Sequence, residues 1–188
     1  EHAYSSAAVY GGIIAGIKMA EALGKEKEVI TRWKKAADDI KEAIVKNFWK
    51  NDYGHFIRSI RVKLNPWGDE NTGKTIMMKI NPKNYCRDFT IEDATPDISL
   101  LGLSIPFGVF DANDTRIKST AEMLEKRLAV NGVGGLKRYE NDNYIGGNPW
   151  IIATLWMALY KIRTGDTEKA KEYFEWASKS CTNNGLLP

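Results

Sequence analysis

From Trp150 to Ile162 the chain carries apolar side chains on nearly every side of a helix. A helix of that kind has no solvated face and must be surrounded by protein. Asn148 and Pro149 suit its N-cap and first helical position, and Gly165 suits its exit. The stretch Lys27–Trp49 has the opposite character. Ile30, Trp33, Ala37, Ile40, Ile44 and Phe48 recur at spacings of three and four, with Lys and Asp residues opposite. One enclosed helix and one with a solvated outer face predict an all-α arrangement of helical hairpins.

The remaining periodicity extends this pattern to six helices. Between Ala3 and Leu23, the residues Tyr10, Ile14, Ile17 and Leu23 alternate with small residues that suit close packing, and Gly24 ends the run. The short Leu23–Lys27 turn predicts that the first two helices lie antiparallel. Thr95-Pro96-Asp97 reads as an N-cap with Pro at the first position of a helix reaching Ser104. Asp114 or Asp111 caps the next, whose apolar stripe is Ile117, Ala121, Leu124 and Leu128. Asp166 or Thr167 caps a final amphipathic helix bearing Ala170, Tyr173, Phe174 and Ala177.

A small β excursion around residues 56–80 interrupts the helices. Phe56–Leu64 alternates from Arg58 onward and reads as a strand, with Thr75–Ile80 returning beside it. Asn65-Pro66-Trp67-Gly68 and Asn71-Thr72-Gly73 supply turn chemistry between them. Trp67, Tyr85 and Phe89 form a second aromatic group, expected along the rim of a cleft.

Composition narrows the function classes. Lys and Arg number 27 against 24 Asp and Glu and spread along helix faces, which argues against nucleic acid as a partner. No apolar run approaches the length that crosses a membrane. Cys86 and Cys181 lie far apart and read as two buried thiols, and His2 and His55 are too few and too separate for a metal site. No cofactor is expected.

The stretch from Arg138 to Trp150 reads Arg-Tyr-Glu-Asn-Asp-Asn-Tyr-Ile-Gly-Gly-Asn-Pro-Trp. Such a loop can offer hydrogen bonds to sugar hydroxyls and flat faces to sugar C–H groups, or it can simply cap a buried helix. Its spacing resembles the signature of the glucoamylase-like glycoside hydrolases of family 15. Glu1-His2-Ala3-Tyr4-Ser5-Ser6 is similar to the helix after that family's catalytic acid, and Thr164-Gly165-Asp166 through Leu186-Leu187-Pro188 to the run into its catalytic base. The resemblance implies an (α/α)6 toroid, of which residues 1–188 form about half of one catalytic domain. It implies an inverting hydrolase releasing glucose from α-glucosides or α-glucans, with the rest of the parent domain as partner. The catalytic glutamates are expected just before Glu1 and just after Pro188, leaving no catalytic residue inside the chain. Arg138 is then the arginine that holds the sugar beside the scissile bond, Asp142 orients it, Tyr139 positions it, and Trp150 stands near the leaving-group side. Glu140 and Asn141 stand where fungal members have Pro and Glu, which points to bacterial or archaeal relatives and leaves acceptor preference open.

Other readings compete. Gly165-Asp166-Thr167-Glu168-Lys169-Ala170 followed by Tyr173 and Phe174 resembles a tetratricopeptide-type turn, so a helical-repeat scaffold is one alternative, although no matching period recurs. A catalytically inactive sugar-binding relative is another. Arg138 could equally be a surface residue paired with Glu140 or Asp142, Trp150 could be plain core, and helix capping accounts for Asp93 and Asp97.

Overall fold

A computed structural model describes residues 1–64 and 73–187. The expected turn residues 65–68 and 71–72, Trp67 among them, lie outside the described residues. Helices α1 (Ala3–Ala22) and α2 (Lys27–Phe48) open the chain. The strands β1 (Trp49–Lys50), β2 (His55–Phe56), β3 (Ser59–Leu64), β4 (Gly73–Lys79) and β5 (Cys86–Asp93) follow. A 3-10 helix, Ile98–Leu103, leads to α3 (Thr115–Leu128), a 3-10 turn at Tyr144–Gly146, α4 (Ile151–Thr164) and α5 (Thr167–Ser178).

The seam of α1 against α2 follows from the small residues read in the sequence. Trp33 of α2 packs at Gly16, where a Cβ would sit 3.6 Å from the indole. Glu21 near the end of α1 pairs with Lys34 early in α2, while Ser6 and Val9 line one cavity with Ile40 and Ile44, so the two run antiparallel. Ala37, Ile44 and Phe48 are the buried part of the predicted α2 stripe. Behind this pair lies one core in which Phe56, Leu101, Leu103, Leu124, Leu136 and Met157 are fully buried. Each such side chain contributes about 1.5–3 kcal/mol from burial.

Several expectations need correction. The sheet runs from β3 to β5, not from residue 56 to 80, and its order is β3-β5-β4, with every pairing antiparallel. Thr75–Ile80 therefore pairs with β5 rather than with the first strand. Phe56 belongs instead to the small β1–β2 pair, opposite Trp49. Both cysteines are exposed, Cys86 at the start of strand β5 and Cys181 beyond α5.

Two helix starts also move. Pro96 accepts a backbone hydrogen bond from Glu140 and Asp97 pairs with Tyr139, which keeps this segment extended. The helix is consequently delayed to Ile98, and its bonds from Leu100 N to Asp97 O and from Ser104 N to Leu101 O give 3-10 geometry. Asp97, not Thr95, is its cap, accepting from Ser99 N at 2.9 Å. Likewise α4 starts at Ile151 with Trp150 in the N-cap position, because Trp150 N is committed to Leu136 O at 2.8 Å and its backbone is extended. Asn148 and Pro149 precede the helix. Five α-helices result among the described residues, with a 3-10 helix where a sixth was expected.

Helix α4 is covered on one side only. Ala153, Met157 and Ala158 are buried, whereas Ile152, Leu159 and Ile162 are 71%, 52% and 57% exposed. The enclosure its composition calls for is not completed by the described residues. None of the helices is long and apolar enough to cross a membrane among the described residues.

Candidate functional site

The start of the Arg138–Trp150 loop is held from two sides by hydrogen bonds to its backbone. Lys137 N donates to Leu128 O, and Leu136 N to Thr154 Oγ1, both at 2.9 Å. On the other side Ile98 N donates to Arg138 O and Glu140 N to Pro96 O, again at 2.9 Å. The position of Arg138 is thus set by α3, α4 and the 3-10 helix together.

Asp142 is the centre of this loop. Its side chain is fully buried, yet it meets a full set of donors. Oδ2 accepts from Arg138 Nε at 3.1 Å and Trp150 Nε1 at 3.0 Å. Oδ1 accepts from Arg138 Nη2 at 3.2 Å and Tyr144 N at 3.1 Å. A buried carboxylate is tolerated when its lone pairs are satisfied in this way. The guanidinium of Arg138 is held 4.5 Å from the Trp150 ring centre and 4.9 Å from that of Tyr139, in the range of cation–π attraction. Burial works against the charged form of Arg138, but the hydrogen bonds and charge of Asp142 outweigh it and raise its pKa.

All four residues singled out from the sequence therefore meet: Arg138, Tyr139, Asp142 and Trp150. Of the two partners considered for Arg138, Asp142 is the one used, while Glu140 turns away to pair with Arg127. Trp150 is half-buried, with its indole N–H committed to Asp142. Tyr85 lies in the turn before β5 and Phe89 on β5, and neither lines the cavities described next.

Two open cavities flank the loop. One of about 540 Å³ is lined by His2, Arg58, Asp97, Arg138, Tyr139 and Trp156, among others. The second, of about 830 Å³, is mostly apolar and runs along the uncovered side of α4 past Tyr4, Tyr144, Ile145, Trp150 and Trp156. Ile152 and Trp156 line both. Trp156 is fixed by its Nε1–H donating to Ile105 O at 2.7 Å and by an edge contact with Tyr4.

Arg58 was not singled out from the sequence as a site residue. Its Nε and Nη2 donate to Asp93 Oδ2 at 3.1 and 2.6 Å, and Nη1 lies 3.5 Å from Asp97 Oδ2. Asp93 thus serves Arg58 and the Thr95 N–H rather than capping a helix. Burial raises the pKa of Asp93, but hydrogen bonds from Thr95 and Arg58 prevail and lower it. No cluster among the described residues offers three His, Cys, Asp or Glu side chains to a metal ion.

The family described as Glycosyl hydrolases family 15 matches residues 1–182. An uncharacterized glycosyl hydrolase of Methanocaldococcus jannaschii is 33% identical over 199 aligned residues, covering 99% of this chain but 27% of that protein. Among solved structures, a glycosidase in complex with glucose superposes with a TM-score of 0.72 at 21% identity, covering all of this chain and 41% of its own. A bacterial glucoamylase complexed with acarbose gives 0.70 at 21% identity, with 28% of its chain covered. The fold, mostly helical with small sheets, is thus shared with these two solved structures, and the chain spans less than half of each of the three proteins.

Proposed function

The chain belongs to glycosyl hydrolases family 15, and from that premise we propose that it is the part of a glycosidase that grips the sugar beside the scissile bond. The observation that carries this reading is the Asp142-anchored guanidinium of Arg138, within cation–π range of the Tyr139 and Trp150 rings and lining an open cavity. Both donors on Asp142 come from one edge of the guanidinium, so Nη1 is not committed to that carboxylate. A planar, permanently charged fork can hold two sugar hydroxyls at once, which an ammonium cannot. Trp150 and Tyr139 supply apolar faces beside it. Asp142 touches no ligand in this reading and acts by holding Arg138 and Trp150 in place.

The substrate is an α-glucoside or α-glucan, and the reaction a single displacement with inversion, releasing glucose. That chemistry needs a carboxylic acid at the leaving oxygen and a second carboxylate activating water, roughly 6.5–9.5 Å apart. By resemblance to the family, both are glutamates flanking residues 1–188. The chain then forms about half of an (α/α)6 toroid, and the uncovered apolar side of α4 faces the rest of that domain. The glucose and acarbose complexes of the structural neighbours support a carbohydrate ligand. The repeat-scaffold alternative gives way to the family match, and the sheet between α2 and the 3-10 helix breaks any regular helix repeat.

The test is a proton NMR time course of the full-length protein with maltose-type and isomaltose-type α-glucosides. Early appearance of the β-anomer of glucose is the expected outcome. The α-anomer first would overturn inversion, and no released sugar alongside measurable binding would indicate an inactive sugar-binding relative.

A further inference from the structure

We infer that Arg58 is a positioning residue that sets the sugar-gripping arginine, Arg138, through the ring of Tyr139. The inference rests on the reading of Arg138 given above. Two guanidiniums stand over that one ring: Arg138 with its Cζ 4.9 Å from the ring centre, and Arg58 at 5.5 Å. With Trp150 on Arg138, the four side chains form a continuous run, Trp150–Arg138–Tyr139–Arg58.

One end of this run is tied by Asp142, which takes both Arg138 and the Trp150 indole N–H. The other end is tied by Asp93 and Asp97, which take Arg58. Arg58 is firmly held. Its side chain is 16% exposed, its backbone N–H donates to Asp93 O at 2.9 Å, and its guanidinium meets Asp93 through two N–H groups. Arg138 is held less completely, being 43% exposed and gripped by its carboxylate along one edge. A planar group fixed along one edge can still tilt about that edge, and the flanking rings limit the tilt. Tyr139 can do so only if its own ring is set, and Arg58 stands over it.

The backbone supports the same link. Asp97 pairs with Tyr139, and Ile98 N donates to Arg138 O, so the segment that bears one carboxylate of Arg58 also carries the Arg138 main chain. Lysine at position 58 would keep a charge for Asp93 and Asp97 but offer no flat face to the ring.

The experiment uses the full-length protein with Arg58→Lys, Arg138→Ala and both together. Each is assayed for KM and kcat on an α-glucoside and for melting temperature, and the Arg58→Lys crystal structure is compared with the parent's. We expect Arg58→Lys to melt near the parent, with Tyr139 displaced and Arg138 tilted about the edge that Asp142 holds. Its KM should rise by up to about 100-fold, the scale of loss for a displacement of about 1 Å, at nearly constant kcat. The double variant should be no weaker than Arg138→Ala alone, because one effect passes through the other. Tyr139 and Arg138 unmoved in the crystal would overturn the inference. So would losses that multiply in the double variant, since Arg58 would then touch the sugar itself. If Arg138→Ala leaves activity intact, the sugar-gripping reading fails, while the crystal comparison still decides whether Arg58 sets Arg138. Should the lysine variant not fold, Arg58→Gln combined with Asp93→Asn removes the charges of the closer ion pair together, and the same crystal comparison of Tyr139 and Arg138 decides the question.

Discussion

Replacing Asp142 by Asn keeps the shape of the side chain and removes its charge, and the geometry determines what is lost. Each carboxylate oxygen serves one N–H of Arg138 and one neutral N–H: Trp150 Nε1 on Oδ2, Tyr144 N on Oδ1. Whichever way the amide is turned, its NH₂ meets two donors. Arg138 is exposed enough for its stranded N–H to find water. The neutral donor is stranded as well, either Trp150 Nε1 on a half-buried indole or Tyr144 N on an exposed residue. A donor left without a partner costs about 1–3 kcal/mol, with Tyr144 toward the low end. The surviving bonds also lose their charge assistance, which roughly halves each. The sum is about 2–4 kcal/mol of destabilisation, with Asp142→Ala toward the 3–5 kcal/mol, roughly, that breaking a buried pair costs. Urea unfolding of the full-length protein, followed by tryptophan emission, reads this as a lower midpoint at unchanged slope. A shift for Asp142→Asn below about 0.5 kcal/mol, the range of an ordinary surface change, would refute the claim that Asp142 organises the loop.

Further expectations follow from other parts of the chain. Asp93 is held below its ordinary pKa, despite burial, by Thr95 and Arg58. Its contribution is therefore complete above the unfolded carboxylate value of about 4 and is lost as pH falls through the lower folded value. Urea midpoints measured on acidification should drop more gently below about pH 4 in Asp93→Asn than in the parent. At the alkaline end, burial, reinforced by Glu122 and Glu125, pushes the Tyr160 phenol up to about 12. Its share of stability is present below the unfolded value of about 10 and disappears as pH rises toward the folded one, so an ultraviolet titration should lose one late-ionising tyrosine in Tyr160→Phe. Gly135 has φ +71, and a Cβ there would lie 2.5 Å from the Trp176 ring. Gly135→Ala should cost about 2–4 kcal/mol from backbone strain plus overpacking, against about 1–2 kcal/mol for Gly132→Ala. At Gly132 φ is also positive, but nothing stands within 4 Å, so equal melting temperatures for the two would remove the indole from the account.

The helices with one solvated face were legible in the sequence because their burial repeats along a single segment. The stripe of α2 lies where its spacing predicts, and Ile117, Ala121, Leu124 and Leu128 are all buried in α3. The sheet was only partly legible. Every residue of β4 is exposed and β5 buries only Thr90 and Asp93, so no buried face imposes an apolar alternation on either strand. The start of α4 was misread because a tertiary bond from Trp150 to Leu136 overrides the local cap signal of Asn148 and Pro149. In the site, Arg138 and Asp142 fall within one short motif and could be read together. Arg58 could not, because its carboxylate partners lie 35 and 39 residues away and no local pattern marks it.

The central claim is that Arg138 grips the sugar, and kinetics of Arg138→Ala and Arg138→Lys in the full-length protein test it most directly. Loss of a preorganised polar contact should raise the barrier by roughly 2–4 kcal/mol. That corresponds to a fall in kcat/KM of about 30- to 900-fold on an α-glucoside. Lysine should restore little of it, because charge without the planar fork holds one hydroxyl where the guanidinium holds two. A kcat/KM within about twofold of the parent for Arg138→Ala, less than 1 kcal/mol, would contradict the account and leave Arg138 and Asp142 as a structural pair capping α4.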